Sequence, residues 1–446
     1  MPENCTIQLF CDDVWHDVAT VALVGPEQQG WRTKTYSGYA VEWAVNHGGA
    51  RDAHALSCQW AVGLETLELA HWPVFLIDML PQGFGREELL RRIGLPATAE
   101  QSVDWRLLKA GAGNPIGNLR IKEAAQWLER HAGPTQGFAD DEVAARSEDF
   151  MEFLASHGLF VAGSSGVQGE WPKVLLTRAH DGLLYLDHTL PDAQAREHYI
   201  VKFGRGANAA LASILRHEAP YMALARRLGL RVHAPLALRH QALFIRRFDR
   251  SVQPGGKVVR FGQESIALLT GLAGFGAVPT HDQVCRKLIA RCTHPEEEVL
   301  EYLKRDVANV ALGNKDNHAR NTAVQRDLAG GVRLSPLYDF APMYLHPDGI
   351  ARRIRWEGND GGRPDWCQVV NQVCEIGEEL QPRGRRARAK AAPAMRREAV
   401  VAGLKAMVPA LLEIAEHDST MGLEPEVLSH LRPGMLGQAR QLSALA

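Results

Sequence analysis

Between Glu296 and Gly313 the chain carries its clearest apolar periodicity. In EEEVLEYLKRDVANVALG, Val299, Leu300, Leu303, Val307 and Val310 recur at three- and four-residue steps, with acids in the first turn and Gly313 at the end. That pattern predicts an amphipathic helix stopping just before residue 314. Downstream, TAVQ and VRLSP flank LAGG and predict a hairpin. Upstream, Lys173 to Thr177 and Leu183 to Leu186 read as strands around an Asp181-Gly182 turn. HYIVKF reads as a strand with Lys202 on the face opposite Tyr199, Val201 and Phe203. A helix-like run, HEAPYMALARRLGL, follows, and ALFIRRFDR (Ala242 to Arg250) predicts another strand. From Gln263 onward the pattern is largely helical.

The first part is more broken. TIQLF and VATVALV are strand-like, Gly85 to Gly94 is a helix with Leu89, Leu90 and Ile93 on one face, and Glu123 to His131 is a short helix. Pro134 to Asp149 has few bulky apolar residues and predicts a linker.

A length of 446 residues, 46% hydrophobic and 23% charged with net charge −2, describes an enzyme-sized protein of two or three units. Near-neutral charge argues against a surface-wide nucleic-acid binder. No apolar run approaches a membrane span, and acids stand where a signal peptide needs basic and apolar residues, so a cytoplasmic protein is expected. Seven cysteines without a C-x-x-C pair read as reduced thiols, and the spacings Cys285/Cys292 and Cys367/Cys374 suit one helix face. The eighteen histidines form no H-E-x-x-H or comparable zinc motif.

Chemistry concentrates just past the first helix. Asp316 stands five residues ahead of Asn321 in GNKDNHARN, and Asp339 follows the hairpin in LSPLYDFAPM. In phosphoryl-transfer enzymes of the protein-kinase type, one carboxylate in this arrangement takes the hydroxyl proton, while the amide and second carboxylate hold magnesium against the ATP phosphates. Asp316 is therefore the candidate base, with Asn321 and Asp339 as candidate metal ligands. Gly163, Gly166 and Gly169 in GSSGVQG precede a strand, a spacing that lets backbone amides approach phosphates or simply makes a turn. Lys202 on an apolar strand needs a partner once desolvated, and Glu218 is the candidate. His318, two residues past Asp316, holds the place where many protein kinases put a lysine, and suits either a loop hydrogen bond or a γ-phosphate contact.

These segments resemble a known family, the HipA-type serine/threonine kinase toxins of type II toxin–antitoxin systems. SSGVQ is similar to its Gly-rich loop, RRFDR to its hinge motif, DNHARN to its catalytic loop and PLYDFAP to its metal segment. RFGQES is a weaker version of its R-x-x-x-E-D segment, without the usual acidic pair. FLIDMLPQGFGREELLRRIGL and LLKAGAGNPIGNL resemble N-terminal stretches of the family, with Asn114-Pro115 replacing an Asp, and Gly169 to Trp171 stands as an insertion before Pro172-Lys173.

The resemblance implies an α+β, protein-kinase-like two-lobed fold: a mixed N-terminal part with an antiparallel sheet and a largely α-helical C-terminal lobe. It would divide into an N-terminal subdomain (1–149), a kinase-like N-lobe (150–258) and a helical C-lobe (259–446). It implies ATP and Mg2+ as cofactors, with Gly163, Ser165, Gly166 and Val167 over the phosphates and Lys202 on them. The backbone of Arg246 to Phe248 would meet adenine, and Asp249 would lie near the ribose. Ser165 or Ser164 would be autophosphorylated as an off-switch. The implied activity is transfer of the γ-phosphate to a Ser or Thr of a cellular protein, such as an aminoacyl-tRNA synthetase or other translation component, inhibiting growth. A helix-turn-helix antitoxin (HipB-like) is the implied partner, DNA is reached only through it, and no membrane is involved. Two other readings stay open: a small-molecule kinase, and a DNA-bound regulatory subunit using PRGRRARAK (382–390).

Overall fold

In a computed structural model, the chain is described at residues 3–96, 103–157, 171–204, 208–274, 276, 278–381, 395–416 and 422–446. The loop positions Gly163, Ser164, Ser165, Gly166, Val167 and Gly169, and the basic run 382–390, lie outside the described residues.

The described strands form four antiparallel sheets. The first takes β1 (Asn4–Cys11), β2 (Val14–Leu23), β3 (Thr35–Tyr39), β4 (Leu67–Leu69) and β5 (Leu119–Ile121) in the order β4-β3-β2-β1-β5. Its inward residues, such as Cys5, Ile7 and Leu9, alternate along β1 and are fully buried. The second contains β6 (Lys173–Ala179), β7 (Leu184–Leu186), β8 (Ala195–Phe203), β9 (Ala237–Arg239) and β10 (Ala242–Arg246), ordered β7-β6-β8-β10-β9. β11 (Arg250–Val252) pairs with β12 (Val258–Arg260), and β13 (Gly262–Ser265) pairs with β14 (Ala323–Arg326), which pairs with β15 (Val332–Leu334). Helices dominate the chain beyond β13. No described helix is long and apolar enough to cross a membrane.

Two apolar cores result. One unites the first two sheets, from Ile7, Trp72 and Trp105 through Phe138 and Phe150 to Val201, Phe203 and Phe244. The other lies among the later helices and also takes in Tyr221 and Leu224 of the helix Ala209–Arg227. This helix thus belongs by packing to the C-terminal lobe, while Glu218 on it points to the sheet.

The helix expected before residue 314 spans Pro295–Ala311. Gly313 follows with φ 63, and a Cβ there would stand 2.9 Å from the Tyr344 ring, so both conformation and space call for glycine. The expected hairpin is β14–β15.

The linker expected at 134–149 is instead folded. Phe138 exchanges two main-chain hydrogen bonds with Leu184 (2.9 and 2.8 Å), and its ring packs 5.1 Å from Phe150 and 5.0 Å from Phe153. A helix, Asp140–Ala145, buries Val143 and Ala144. Few bulky residues are needed where a β-bridge satisfies the backbone and small side chains fill the remaining space. Phe138→Ala should cost about 3–5 kcal/mol in urea unfolding, as for other buried aromatics. A loss under about 1 kcal/mol would mean that the segment is not part of the core.

Candidate functional site

The site begins with a lysine that cannot reach water. In β8, Val201 and Phe203 face the first core, so the pleat turns Lys202 to the other side, where it is 3% exposed. Its ammonium donates to Glu218 Oε2 at 2.6 Å and to Asp339 Oδ1 at 3.1 Å. Asn208 caps the helix carrying Glu218 by accepting from the N–H groups of Ala210 and Leu211.

Although burial works against its charge, Asp339 and Glu218 outweigh it and hold the Lys202 ammonium above the ordinary lysine range. Asp339 moves the other way: against its burial, Lys202 and Lys173 keep its carboxyl well below the carboxylate range. Glu218 is pushed up by burial, with Lys202 opposing and Asp339 reinforcing the rise, so Asp339 is the firmer counter-charge. Asp339 also has φ 53, a left-handed conformation that costs a non-glycine residue about 1–3 kcal/mol.

Asp316 and Asn321 sit on the loop after the Pro295–Ala311 helix. Asn321 donates its amide N–H to the Asp316 carbonyl (2.9 Å), and the Asp316 N–H donates to Asn314 Oδ1 (3.3 Å), which closes the loop on itself. Burial pushes the Asp316 carboxyl up, with His318 opposing and Asp339 reinforcing the shift. His318 Nε2 lies 3.9 Å from Asp316 Oδ1, and its Nδ1 accepts the Arg320 N–H at 3.1 Å, which puts the ring proton on the nitrogen facing Asp316. Burial lowers the His318 pKa, against the pull of Asp316.

Lys202, Glu218, Asn321 and Asp339 line one cleft of about 190 Å³ between the lobes. At its other end it is apolar, with Ile200, Met222, Leu236, Ile245 and Phe248. A smaller space on the far side of Asn321 and Asp339 is lined by Asp316. Arg246 and Asp249 also line the cleft; the Arg246 guanidinium turns outward to Glu197 (3.1 Å). Asp249 anchors the segment between β10 and β11. Its carboxylate accepts from Arg247 (2.8 and 2.6 Å) and from the Gly117 N–H (2.8 Å). Arg247 and Arg250 both donate to the Pro115 carbonyl and to Asp187, joining the N-terminal segment to the hinge.

Among the described residues no three His, Cys, Asp or Glu side chains form a metal cage. The Asn321 amide and Asp339 carboxylate nevertheless fit magnesium, which takes one or two protein oxygens and completes its shell with water and phosphates.

Three contributors escaped the sequence reading. Lys173 lies directly across from Lys202 in the β6–β8 register and is 7% exposed; burial lowers its pKa while Asp339 opposes. Asp78 accepts from Ser265 Oγ (2.6 Å) and Arg320 Nε (3.3 Å), bracing the loop that carries Asp316 and Asn321 from the N-terminal segment. Its signal was a lone acid inside the apolar run VFLIDML. Trp171, within the apparent insertion, places its ring 5.3 Å from the Lys202 ammonium.

Fold and cleft define a two-lobed protein of the protein-kinase-like class, with its charged groups gathered where the lobes meet. The chain belongs to the HipA-like C-terminal domain family, which matches residues 165–402, more than half of it. A relative named "Putative kinase Y4mE", from Sinorhizobium fredii, is 30% identical over 195 residues, 41% of this chain and 43% of that protein. The chain thus matches less than half the length of this curated relative. The fold also matches HipA of Shewanella oneidensis MR-1, solved with HipB and operator DNA, over 99% of this chain and 98% of that one (TM-score 0.64, 18% identity).

Lys202→Met should cost about 3–5 kcal/mol at neutral pH, because it strands the buried Glu218 carboxylate and removes the counter-charge of the half-buried Asp339. In the wild type, the depressed Asp339 pKa gives stability that is present above its unfolded value of about 3.9 and lost as pH falls through the folded value. Without the ammonium, Asp339 should take up a proton more readily, so the deficit should shrink as pH falls from neutrality toward the carboxylate range. Urea unfolding across that range checks this, and a pH-independent deficit would contradict the charged triad.

Proposed function

We propose that this protein is a HipA-like serine/threonine protein kinase, a toxin that transfers the ATP γ-phosphate to a cellular protein and is restrained by a helix-turn-helix antitoxin. The observation that carries the reading is the meeting of Lys202, Glu218, Asn321 and Asp339 at one interlobe cleft with Asp316 beside it. A buried lysine pair, two hard-oxygen ligands and a carboxyl of raised pKa are the groups that phosphoryl transfer uses.

In this reading the adenine enters the apolar end against Ile200, Ile245 and Met222, along the backbone of Arg246 to Phe248. The phosphates lie towards Lys202 and Lys173. Asn321 and Asp339 would hold magnesium, which would supply neutralisation of the phosphate charge. Asp316 orients the acceptor hydroxyl and receives its proton as the oxygen attacks the γ-phosphorus, and the bond to the ADP oxygen breaks. Burial raises the Asp316 pKa, which makes its carboxylate a stronger base than an ordinary aspartate. His318 carries a proton facing Asp316 and steadies the loop.

HipB and operator DNA in the Shewanella complex support an antitoxin partner here, with DNA reached through it. Translation components are the proposed targets, on the family resemblance alone. Gly163, Gly166 and Val167 are assigned to the phosphate-covering loop on the same ground, with Ser165 or Ser164 as the autophosphorylation site.

Asp316→Asn should reduce transfer by about a hundred- to ten-thousand-fold while keeping ATP affinity, since the amide holds the loop's shape but takes no proton. Radiolabel transfer and calorimetry check it, and near-normal turnover removes Asp316 from the mechanism. Incubation with Mg-ATP should add one phosphate at Ser165 or Ser164 and silence the enzyme in step, because about −1.5 to −2 added charges repel the triphosphate. Intact-mass and peptide mass spectrometry read this, and an unmodified loop in inactivated protein refutes it.

A further inference from the structure

Beside the candidate base runs a segment outside any helix or strand, RRIRW, at residues 352–356. Its side chains alternate as they do in extended chain. Arg352 turns inward to Asp306 (2.8 Å) and Asp360 (3.2 Å), while Ile354 and Trp356 are buried, and Trp356 Nε1 donates to Asp306 at 2.9 Å. Arg353 and Arg355 take the other side: Arg353 is exposed, and the Arg355 side chain keeps 43% of its surface open. Asn317, the residue after Asp316, accepts from the Arg353 N–H (2.8 Å) and donates to the Ile354 carbonyl (3.0 Å). The segment is therefore clamped to the catalytic loop by one side chain, one residue from the base. Lys315, just before Asp316, is also exposed.

Among the described residues Arg353 enters no ion pair, and the acids of this stretch are engaged elsewhere. Asp306 and Asp360 hold Arg352, and Glu357 accepts from Thr280 Oγ1 at 2.7 Å. Arg355 lies 3.8 Å from Asp360, a fully buried carboxylate already shared with Arg352, so most of its charge is left for a partner in solution. The charge of Arg353 is felt at both Asp316 and His318. Outward positions two apart on extended chain stand roughly 6.5 Å from each other, the spacing of same-face side chains in an extended peptide.

We propose that Arg353, Arg355 and Lys315 form the acceptor-docking strip, which takes an extended peptide segment carrying carboxylates around the hydroxyl to be phosphorylated. This rests on the kinase reading above and adds the chemistry of the acceptor. A peptide fits better than a nucleic acid. Three cations match a short acidic segment, whereas polyanion binding draws on many phosphate contacts.

The test uses the full chain with a non-hydrolysable ATP analogue and magnesium, and two fluorescein-labelled Ser-centred peptides, one flanked by glutamates and one by lysines. Fluorescence anisotropy should show the acidic peptide binding about tenfold more tightly, with the advantage shrinking as salt rises. The Lys315→Glu/Arg353→Glu double variant should reverse the order while its melting temperature and affinity for the analogue stay at wild-type values. Equal binding of both peptides by the wild type, or an unreversed order in the folded variant, overturns the strip. So does a short RNA of equal charge that binds as tightly as the acidic peptide. Phosphoryl transfer into a cell lysate is measured alongside. Transfer without charge preference discards the strip and leaves the kinase reading standing, and absence of any transfer discards both.

Discussion

The ion triad of Lys202, Glu218 and Asp339 is the constraint on which the rest depends. It joins three elements from different parts of the chain: a sheet strand, a helix packed with the C-terminal lobe, and the segment after the last hairpin. Burial makes the Lys202 and Glu218 charges costly alone, and their mutual approach, with the half-buried Asp339, offsets the cost. That approach fixes the lobes relative to one another and accompanies the left-handed backbone of Asp339. The charge so retained on Asp339 reaches Asp316, where it helps hold the carboxyl above its ordinary range. The triad thus fixes the geometry of the site and adds to the burial that raises the Asp316 pKa.

The N-terminal segment brings no group read as catalytic, yet it braces the cleft at three points. Asp78 grips Arg320 in the loop that carries Asp316 and Asn321. The Pro115 carbonyl and Gly117 N–H complete the network of Asp187, Arg247, Asp249 and Arg250 behind the hinge. Buried Glu264 accepts from Ser57 Oγ and the Cys58 N–H, while Arg326 donates to the carbonyls of Asp52 and Ala55. The hinge network pairs two guanidinium groups with two carboxylates, so its burial leaves no charge uncompensated. The missing acidic pair noted around Glu264 therefore has a counterpart in structure: the one acid present docks the N-terminal segment.

Local pattern was legible wherever one face of an element meets one core. The Pro295–Ala311 helix, the β14–β15 hairpin and the strand holding Lys202 follow from periodicity, because a repeat of 3.6 or 2 fixes which side is apolar. The residues proposed as base and ligands could be named from the sequence, since they lie on one loop and hairpin at fixed spacing. Phe138 was not. A single aromatic among small and polar residues has no period, and its burial depends on Leu184, Phe150 and Phe153 arriving from elsewhere.

Residue types and their order thus determined the kinase-like class, the lysine that must find a partner and the carboxylates proposed for proton and metal. Tertiary structure alone decided which charges meet. The Lys173–Lys202 register, the reach of Asp78 across 242 positions to Arg320 and the inward turn of Arg352 beside an outward Arg353 depend on side chains distant in sequence. Electrostatic partnership falls off over a few ångströms in space and has no range along the chain, so no local pattern can encode it.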